Sequence, residues 1–198
     1  MWWSEIASQA TSLSDLRPYI DANALVAPTA MLLGNVSIGA GTRICHGAYI
    51  EGPVEIGRDC LIGNNAMIRG ATSIGDGVRI GFAAELKNAI VEDGVAIGPQ
   101  CFVADSKVER GCYLGAQVRT SNHRLDGRTV CVRIGDTSLD TGMEKLGCLI
   151  GARSSLGVQV IVLPGRMVAP DSLFAPRVIV ERNLPGGRYR IRQALESF

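Results

Sequence analysis

The chain carries an aliphatic or aromatic residue at every sixth position over long stretches of its length. The repeat is unbroken from Ile20 to Leu86 and returns from Ile150 to Val180. The first run comprises Ile20, Val26, Leu32, Ile38, Ile44, Ile50, Ile56, Ile62, Ile68, Ile74, Ile80 and Leu86, and the second comprises Ile150, Leu156, Val162, Val168, Phe174 and Val180. An internal repeat of this kind determines the architecture of a chain before any single residue is considered.

A period of six indicates strands. A helix advances about 100° per residue, so positions six apart lie about 240° apart around its axis, whereas a strand returns to the same face after any even number of residues. The fourth residue after each repeat position is small or β-branched, as at Ala48 and Cys60, and is also expected to point inward. Glycines such as Gly57, which follows Ile56, suit either a turn with positive φ or a close backbone approach. The pattern predicts an all-β parallel β-helix, wound as a solenoid.

The same pattern divides the chain into segments. Two one-residue slips, from Leu86 to Val91 and from Val103 to Val108, are interpreted as local corner adjustments. The predicted segments are an N-terminal capping segment over residues 1–19 with helical character at 3–17, a β-helix over 20–183 with an excursion loop at 119–147, and a C-terminal tail over 184–198 that ends in a short helical stub. Within the excursion, residues 129–134 alternate like a strand and are expected to pair back through a turn at Gly135 and Asp136.

Bulk properties exclude several classes of protein. The 198 residues suit one domain. A net charge of +1 argues against general nucleic-acid binding. We see no signal peptide and no apolar run near the roughly 18 residues of a membrane span, so a cytoplasmic protein is expected. The six cysteines show no CxxC spacing and are expected to be reduced, and two histidines are too few for a three-histidine zinc site, so no metal is predicted.

The excursion holds the candidate catalytic residues. A loop that interrupts a solenoid is usually functional, although it can also serve only to cover an edge. His123 lies near its start, and a neutral imidazole can take a proton from a hydroxyl or amine that attacks a thioester. Asp126 would orient this imidazole, and Asn122 would donate to a developing oxyanion or hold the acceptor. The alternative for His123 is a loop histidine bonded to the backbone, and His46 is expected to be a solvated surface residue.

Two further groups of basic residues are candidates for anion binding. Arg69 and Lys87 are 18 residues apart, a spacing that stacks them one coil apart on the same side and suits a phosphate. The alternative is a pair of unpaired surface charges. In the tail, Arg188, Arg190 and Arg192 alternate with apolar residues; they would either meet the phosphates of a ligand or belong to a charged edge strand.

Several segments resemble a known family. They are residues 47–57, the run Ala66-Met67-Ile68-Arg69, the run Ala84-Glu85-Leu86-Lys87-Asn88 and residues 141–147. Together they resemble the C-terminal acetyltransferase half of the bifunctional sugar-1-phosphate nucleotidyltransferases of the N-acetylglucosamine-1-phosphate uridyltransferase type, within the hexapeptide-repeat acyltransferase superfamily. The resemblance covers about residues 20–183.

The resemblance implies a left-handed β-helix with three hexapeptides per coil, assembled as a homotrimer. It implies acetyl-CoA as cosubstrate, bound between neighbouring subunits, and a sugar phosphate as acceptor. The phosphates that Arg188, Arg190 and Arg192 would meet are then those of CoA. Arg69 and Lys87 match the family's phosphate-holding residues, and Asn122 matches an asparagine of its active-site loop. The nucleotidyltransferase half is missing from this chain, and whether a separate nucleotidyltransferase is a partner stays open.

Three positions depart from the family pattern. Pro99 stands where the family has its catalytic histidine, Phe102 replaces a tyrosine, and Tyr113 replaces an asparagine. Residues 122–126 resemble instead the Thr-His-Pro-Leu-Asp stretch that holds the catalytic histidine in the maltose and nodulation-type O-acetyltransferases. Two hypotheses follow: an acyl-CoA-dependent transferase acting on a sugar, sugar phosphate or nucleotide sugar with His123 as base, or an inactive trimer that binds or scaffolds a sugar phosphate or nucleotide sugar.

Overall fold

The structure, a computed structural model, describes residues 1–192. It contains one helix, α1 (Trp2–Ser12), followed by short strands. In chain order the strands are β1 (Tyr19–Ile20), β2 (Leu25–Val26), β3 (Met31–Leu33), β4 (Val36–Ile38), β5 (Arg43–Ile44), β6 (Tyr49–Glu51), β7 (Val54–Ile56), β8 (Leu61–Ile62), β9 (Met67–Arg69), β10 (Thr72–Ile74), β11 (Arg79–Ile80), β12 (Glu85–Lys87), β13 (Ile90–Val91), β14 (Ala96–Ile97), β15 (Phe102–Ala104), β16 (Lys107–Val108), β17 (Tyr113–Leu114), β18 (Arg119–Thr120), β19 (Cys131–Ile134), β20 (Thr137–Asp140), β21 (Leu149–Ile150), β22 (Ser155–Leu156), β23 (Ile161–Val162), β24 (Met167–Val168), β25 (Leu173–Phe174), β26 (Ile179–Val180) and β27 (Arg188–Tyr189).

The strands form the three faces of a parallel β-helix. The first face has the order β1-β4-β7-β10-β13-β16-β21-β24, the second β2-β5-β8-β11-β14-β17-β22-β25-β27, and the third β3-β6-β9-β12-β15-β18-β23-β26. Ile38 pairs with Ile56, one coil of 18 residues later, whereas Ile74 pairs with Val91 and Val91 with Val108, one coil of 17. The predicted solenoid is confirmed, and the two slips are coils shortened by one residue.

The repeat positions form one continuous core. Ile50, Ile62 and Ile68 are completely buried, and the small positions Ala48 and Ala66 fill the space between them. Burying a side chain of this size contributes about 1.5–3 kcal/mol, so a column of stacked isoleucines stabilises the solenoid coil by coil. Cys60, Cys101, Cys112 and Cys148 are buried at inward positions, as the pattern predicted.

The glycines after the repeat positions allow the backbones of neighbouring coils to approach closely. A Cβ atom built on Gly39 would lie 2.7 Å from the carbonyl carbon of Gly57, and one on Gly63 would lie 2.6 Å from the Ile80 carbonyl oxygen. The coils therefore touch backbone to backbone at these points, and a side chain would force them apart. Positive φ occurs at separate corners, where Gly41 adopts +73° and Asp59, one coil later, adopts +55°.

Helix α1 is shorter than the predicted range 3–17, and it lies against the first face rather than over the first coil. It ends at Ser12 and gives way to a turn, because Ser14 and Asp15 compete with the helical backbone for hydrogen bonds. It was expected to cap the first coil, yet Gln9 donates a 2.8 Å hydrogen bond to Ser73 in β10, in the middle of the first face. The reason is an apolar cluster at that place, into which the helix inserts its tryptophans.

The excursion supplies this cluster. It leaves the solenoid after β18 and returns at β21, so residues 119–120 belong to the third face. Its antiparallel hairpin β19–β20 confirms the predicted strand pairing. The cluster buries Trp2, Trp3, Ile6, Val130, Val132 and Leu146. Helix and hairpin together form a layer over the first face, separate from the solenoid core.

The two ends of the solenoid differ. The first coil is open, with Ile20 half exposed and Leu25 60% exposed. At the other end, β27 pairs in parallel with β25, and the Tyr189 ring stacks on Phe174 at 4.9 Å. The short helical stub predicted for the end of the tail lies outside the described residues. No helix in the described part of the chain is long and apolar enough to cross a membrane.

Candidate functional site

The site lies where the excursion leaves and rejoins the solenoid. His123 and Lys145 form an antiparallel bridge, and the Leu146 N–H donates a 2.9 Å hydrogen bond to the Asn122 carbonyl oxygen. The Gly147 N–H donates to the Asp105 carbonyl oxygen of the preceding coil at 2.8 Å. These contacts make the neck, defined here as residues 121–123 and 145–147, an ordered extension of the third face.

His123 is exposed at the neck. Its Nδ1 lies 3.4 Å from the carbonyl oxygen of Glu144, so the backbone contact weighed from sequence is present, and the rest of the ring stays accessible. The ring lines a cleft of about 510 Å³, whose other walls are Ser121, Arg124, Leu125, Asp126, Leu163, Pro164 and Arg166. Because carbonyl oxygens only accept, this contact favours the tautomer with the proton on Nδ1 and a free lone pair on Nε2.

Asp126 binds a different partner from the one expected. Arg124 donates to it twice, from Nε at 2.9 Å and from its terminal nitrogen at 2.5 Å. The Arg124 guanidinium holds the pKa of Asp126 well below its usual range. Among the residues described, Asp126 makes no hydrogen bond with His123. The carboxylate therefore fixes Arg124 in the cleft wall, and orientation of the imidazole rests on the Glu144 carbonyl.

Asn122 contacts Asp105, a residue that was not among the candidates predicted from sequence. Its Nδ2 donates a 2.6 Å hydrogen bond to Oδ2 of Asp105, and Nδ2 of Asn88 donates to Oδ1 of the same carboxylate at 3.0 Å. Asp105 is buried, with 4% of its surface exposed. The signal that could have found it is the spacing of 17 residues between Asn88, Asp105 and Asn122, which stacks polar residues in successive coils.

Arg69 and Lys87 stack as predicted, and both are paired. The two residues are direct partners in the β9–β12 register. Arg69 donates to Oε1 of Glu85 from Nε at 3.0 Å and from its terminal nitrogen at 2.7 Å, and Lys87 lies 3.5 Å from Oδ2 of Asp105. The alternative of two unpaired charges is therefore wrong. A phosphate at this place would have to share these cations with the two carboxylates.

The three departures from the family pattern lie on different parts of the coil. Pro99 is exposed at the corner after β14, and it has no group that accepts a proton. Phe102 begins β15 on the third face, one coil after Glu85. Tyr113 lies exposed in β17 on the second face. No base stands at the position of the family histidine.

The three arginines of the tail lie in different surroundings. Arg188 is exposed on β27, which is the edge of the second face, as the edge-strand alternative predicted. Arg190 lines a groove of about 630 Å³ together with Val158, Gln159, Ala175, Pro176, Arg177 and Ile191. Arg192 is exposed. Arg190 and Arg177 thus bring two guanidinium groups to one groove, the arrangement that suits phosphate.

A ladder of hydrogen-bonded side chains extends from this groove along one corner of the solenoid. Gln117 donates to Gln100 at 2.9 Å, Gln159 donates to Gln117 at 2.8 Å, and Arg177 donates to Gln159 at 3.2 Å. A second groove of about 680 Å³ lies beside the start of this ladder and is lined by Ala83, Glu85, Gln100, Cys101, Phe102, Gln117 and Arg119. The corner therefore links Arg190 to the surroundings of Phe102 and Glu85.

His46 is exposed in the structure, in accordance with the sequence. Its Nδ1 lies 2.6 Å from the hydroxyl of Thr29, so the contact joins the second coil to the first. It is remote along the solenoid from the neck, since four coils separate residue 46 from residue 121 in the strand order of the third face. His46 therefore provides a control histidine within the same chain.

Comparison with known proteins agrees with this architecture. A family model described as the GMPPB C-terminal domain matches residues 50–139. The uncharacterized acetyltransferase YaiX of Escherichia coli (strain 536) is 55% identical over 203 residues, which cover 98% of this chain and 88% of that protein. YaiX of Escherichia coli (strain K12) is 59% identical over 162 residues, covering 82% of this chain and 70% of that protein.

A more distant relative bears on the resemblance noted in the sequence. The bifunctional sugar-1-phosphate nucleotidylyltransferase/acetyltransferase of Sulfurisphaera tokodaii is 30% identical over 109 residues, covering 55% of this chain and 27% of that protein. The resemblance to this kind of protein is confirmed. The chain belongs to the hexapeptide-repeat acyltransferase superfamily, as a member of the YaiX family of acetyltransferases.

Proposed function

We propose that the protein transfers an acetyl group from acetyl-CoA to a hydroxyl or amine of a sugar, a sugar phosphate or a nucleotide sugar. The observation that carries the proposal is the exposed imidazole of His123, which lines a cleft on an acyltransferase solenoid. The names of its relatives, acetyltransferases and a bifunctional sugar-1-phosphate enzyme, support the class of donor and acceptor.

His123 would act as the general base. With its proton on Nδ1 beside the Glu144 carbonyl, Nε2 takes the proton of the acceptor as its oxygen or nitrogen attacks the thioester carbonyl carbon. The new bond forms while the carbon–sulfur bond breaks, and Nε2 then returns the proton to the departing thiolate of CoA. Asn122 adjoins the base and would hold the acceptor, and Asp126 would keep Arg124 in place beside it.

The acceptor's phosphate has cationic partners nearby. Arg166 lines the same cleft as His123, and its Nε is buried without a partner among residues 1–192. Arg69 and Lys87 supply two further charges on the third face. A phosphate bound in the cleft would satisfy the Arg166 nitrogen. A phosphate bound on the third face would instead compete with Glu85 for Arg69, which lies in β9, four coils before β23 and the turn that carries Arg166.

The groove at Arg190 fits CoA. Its two guanidinium groups suit the phosphates of the cosubstrate, and the apolar side chains of Val158 and Ile191 suit the adenine ring. Arg188, on the neighbouring edge strand, would add to the positive potential. The glutamine corner would carry the pantetheine arm away from this end, since amide side chains can pair with its amide groups.

Self-association into a trimer belongs to the same proposal. The third face exposes Met31, Met67 and Ile179 to solvent, although apolar side chains of this size favour burial. Contact between third faces of neighbouring chains would cover them and place a neighbour beside the stacked Arg69 and Lys87.

A second candidate function rests on Pro99. Pro99 cannot act as a base. Without a base at His123 either, the protein would bind a sugar phosphate or nucleotide sugar and would not transfer an acyl group. This second candidate function predicts that the protein binds the sugar ligand through Arg69 and Lys87 and transfers no acyl group to any acceptor.

Calorimetric titration of acetyl-CoA into the purified protein tests the proposal, with an Arg190→Ala variant as the matched control. Saturable binding that weakens in the variant would support the transferase and justify an acceptor screen. No heat up to millimolar acetyl-CoA would eliminate acyl transfer and leave the binding protein.

A further inference from the structure

We propose that Asp105 is a positioning residue that holds both ends of the excursion neck and so sets the places of Asn122 and His123; in its catalytic consequence this inference rests on the proposed function. Asp105 belongs to the solenoid, at the corner after β15, and is not one of the residues that line the cleft. Its influence on chemistry would be exerted through the two loop residues.

The carboxylate of Asp105 is buried and fully engaged. Asn88 donates to Oδ1 at 3.0 Å, Asn122 donates to Oδ2 at 2.6 Å, and Lys87 lies 3.5 Å from Oδ2. Burial of an unpaired carboxylate is strongly unfavourable, and these partners offset that cost at 4% exposure. The solenoid thus presents a fully hydrogen-bonded carboxylate directly beneath the neck.

The backbone of the same residue holds the returning end of the excursion. Its carbonyl oxygen accepts the Gly147 N–H at 2.8 Å. A Cβ on Gly147 would collide with Ser106 Oγ and the Ala104 carbonyl, so the chain comes too close here for any other residue. One residue of the preceding coil therefore ties together Asn122, where the excursion departs, and Gly147, where it returns.

The Asp105 carboxylate also determines how the Asn122 amide is turned. A carboxylate only accepts hydrogen bonds, so the nitrogen of the amide must face Asp105 and its Oδ1 must face away. His123 follows directly in the chain, and the Asn122 carbonyl is bound by Leu146. Rotation of the side-chain amide would turn its oxygen toward the Asp105 carboxylate and break the 2.6 Å hydrogen bond. The orientation of Asn122 is therefore linked to the position of the base that follows it in the chain.

Asp105→Asn reverses the contact with Asn122 and removes the charge that faces Lys87 at 3.5 Å. Asp105 has φ of +48° and Asn88, one coil earlier, has φ of +46°, so asparagine accepts this backbone conformation and the variant is expected to fold. Its Oδ1 can still accept from Asn88, but its NH₂ group then meets the NH₂ group of Asn122, donor against donor. The reciprocal double variant Asp105→Asn with Asn122→Asp restores a donor–acceptor pair and the original charge.

The surroundings of His123 can be followed by NMR, because the chain contains few histidines. The chain has only two, His46 and His123, so the imidazole region of an NMR spectrum has two sets of signals, and a His46→Gln variant assigns them. Asp171→Asn is the matched control, because it breaks an exposed carboxylate–arginine contact with Arg153 at 2.7 Å on another corner. Thermal melts check that each variant is folded.

The expected result is a shift of the His123 signals in Asp105→Asn, with those of His46 unchanged, and their return toward the original position in the double variant. With acetyl-CoA and glucosamine 1-phosphate as the probe acceptor, kcat of Asp105→Asn should fall about 10- to 100-fold with KM for acetyl-CoA unchanged. Unmoved His123 signals in folded Asp105→Asn, or no return in the double variant, would overturn the positioning role. Should the unaltered protein neither bind acetyl-CoA nor transfer an acetyl group to any acceptor of the screen, the proposed function is overturned, while the NMR result still decides the role of Asp105.

Discussion

The ammonium nitrogen of Lys107, in β16, lies 2.6 Å from the carboxylate of Glu5 in helix α1 and 3.4 Å from that of Glu92. Burial alone would lower the pKa of Lys107, and the contacts with Glu5 and Glu92 outweigh it and raise the pKa. The lysine therefore stays charged and orients the helix on the first face. The Glu5 side chain is half exposed, so the packing of the tryptophans behind it carries most of the docking energy.

Replacing Trp3 by alanine should lower the free energy of unfolding by about 3–5 kcal/mol, because it empties the cluster between helix and hairpin. Glu5→Gln, which removes only the exposed ion pair, should cost less than about 1 kcal/mol. Denaturant unfolding of both variants measures the difference. Equal losses would show that the ion pair, and not the apolar cluster, holds the helix.

Gly63→Ala should destabilise the solenoid by about 1–3 kcal/mol, since its Cβ would press on the backbone of the next coil. Gly77 offers the matched control. It has φ of +66° and open space around it, and Asp59 adopts +55° at the same corner one coil earlier. Gly77→Asn meets no atom of a neighbouring coil and carries only the backbone cost of its positive φ, so it is expected to destabilise by less than about 1 kcal/mol in a thermal melt. Similar effects of both substitutions would mean that contact between coils is not what requires glycine at position 63.

His123→Ala should lower kcat for acetyl transfer by about 100- to 10,000-fold, the usual contribution of a general base. His46→Ala should leave turnover unchanged, because that histidine lies in the second coil, four coils from the neck, with Thr29 of the first coil as its partner. Steady-state kinetics on an acceptor found by screening measures both. Turnover by His123→Ala at the rate of the unaltered protein would place the base elsewhere.

Alkaline pH should destabilise the fold through its buried thiols. Burial raises the pKa of Cys112 to about 11 and that of Cys148 to about 12, above the usual value of 9.0. Above pH 9 the unfolded chain loses these protons while the folded chain retains them, so the free energy of unfolding falls as pH rises, by up to about 1.4 kcal/mol per thiol and pH unit. Cys148→Ala should show a shallower loss of stability between pH 9 and 11 in denaturant titrations. An unchanged slope in that variant would assign the alkaline loss to other groups.

The sequence by itself determined the solenoid. A period of six can be satisfied only by strands that return to the same face, so the positions of Ile50, Ile62 and Ile68 in one core, the two shortened coils and the stacking of Arg69 on Lys87 follow from spacing alone. The hairpin of the excursion was predictable for the same reason, since alternation and turn residues are local signals.

Tertiary structure decided which polar groups meet. Helix α1 packs beside the hairpin rather than over the first coil, because Trp2 and Trp3 find their apolar partners in a segment far along the chain. Asp126 binds Arg124, and Asn122 binds Asp105, because partner choice depends on distances of a few tenths of an ångström that no periodicity encodes. A repeat determines the face on which a residue lies, whereas the hydrogen bonds of a site depend on how non-repeating segments fold back onto that face.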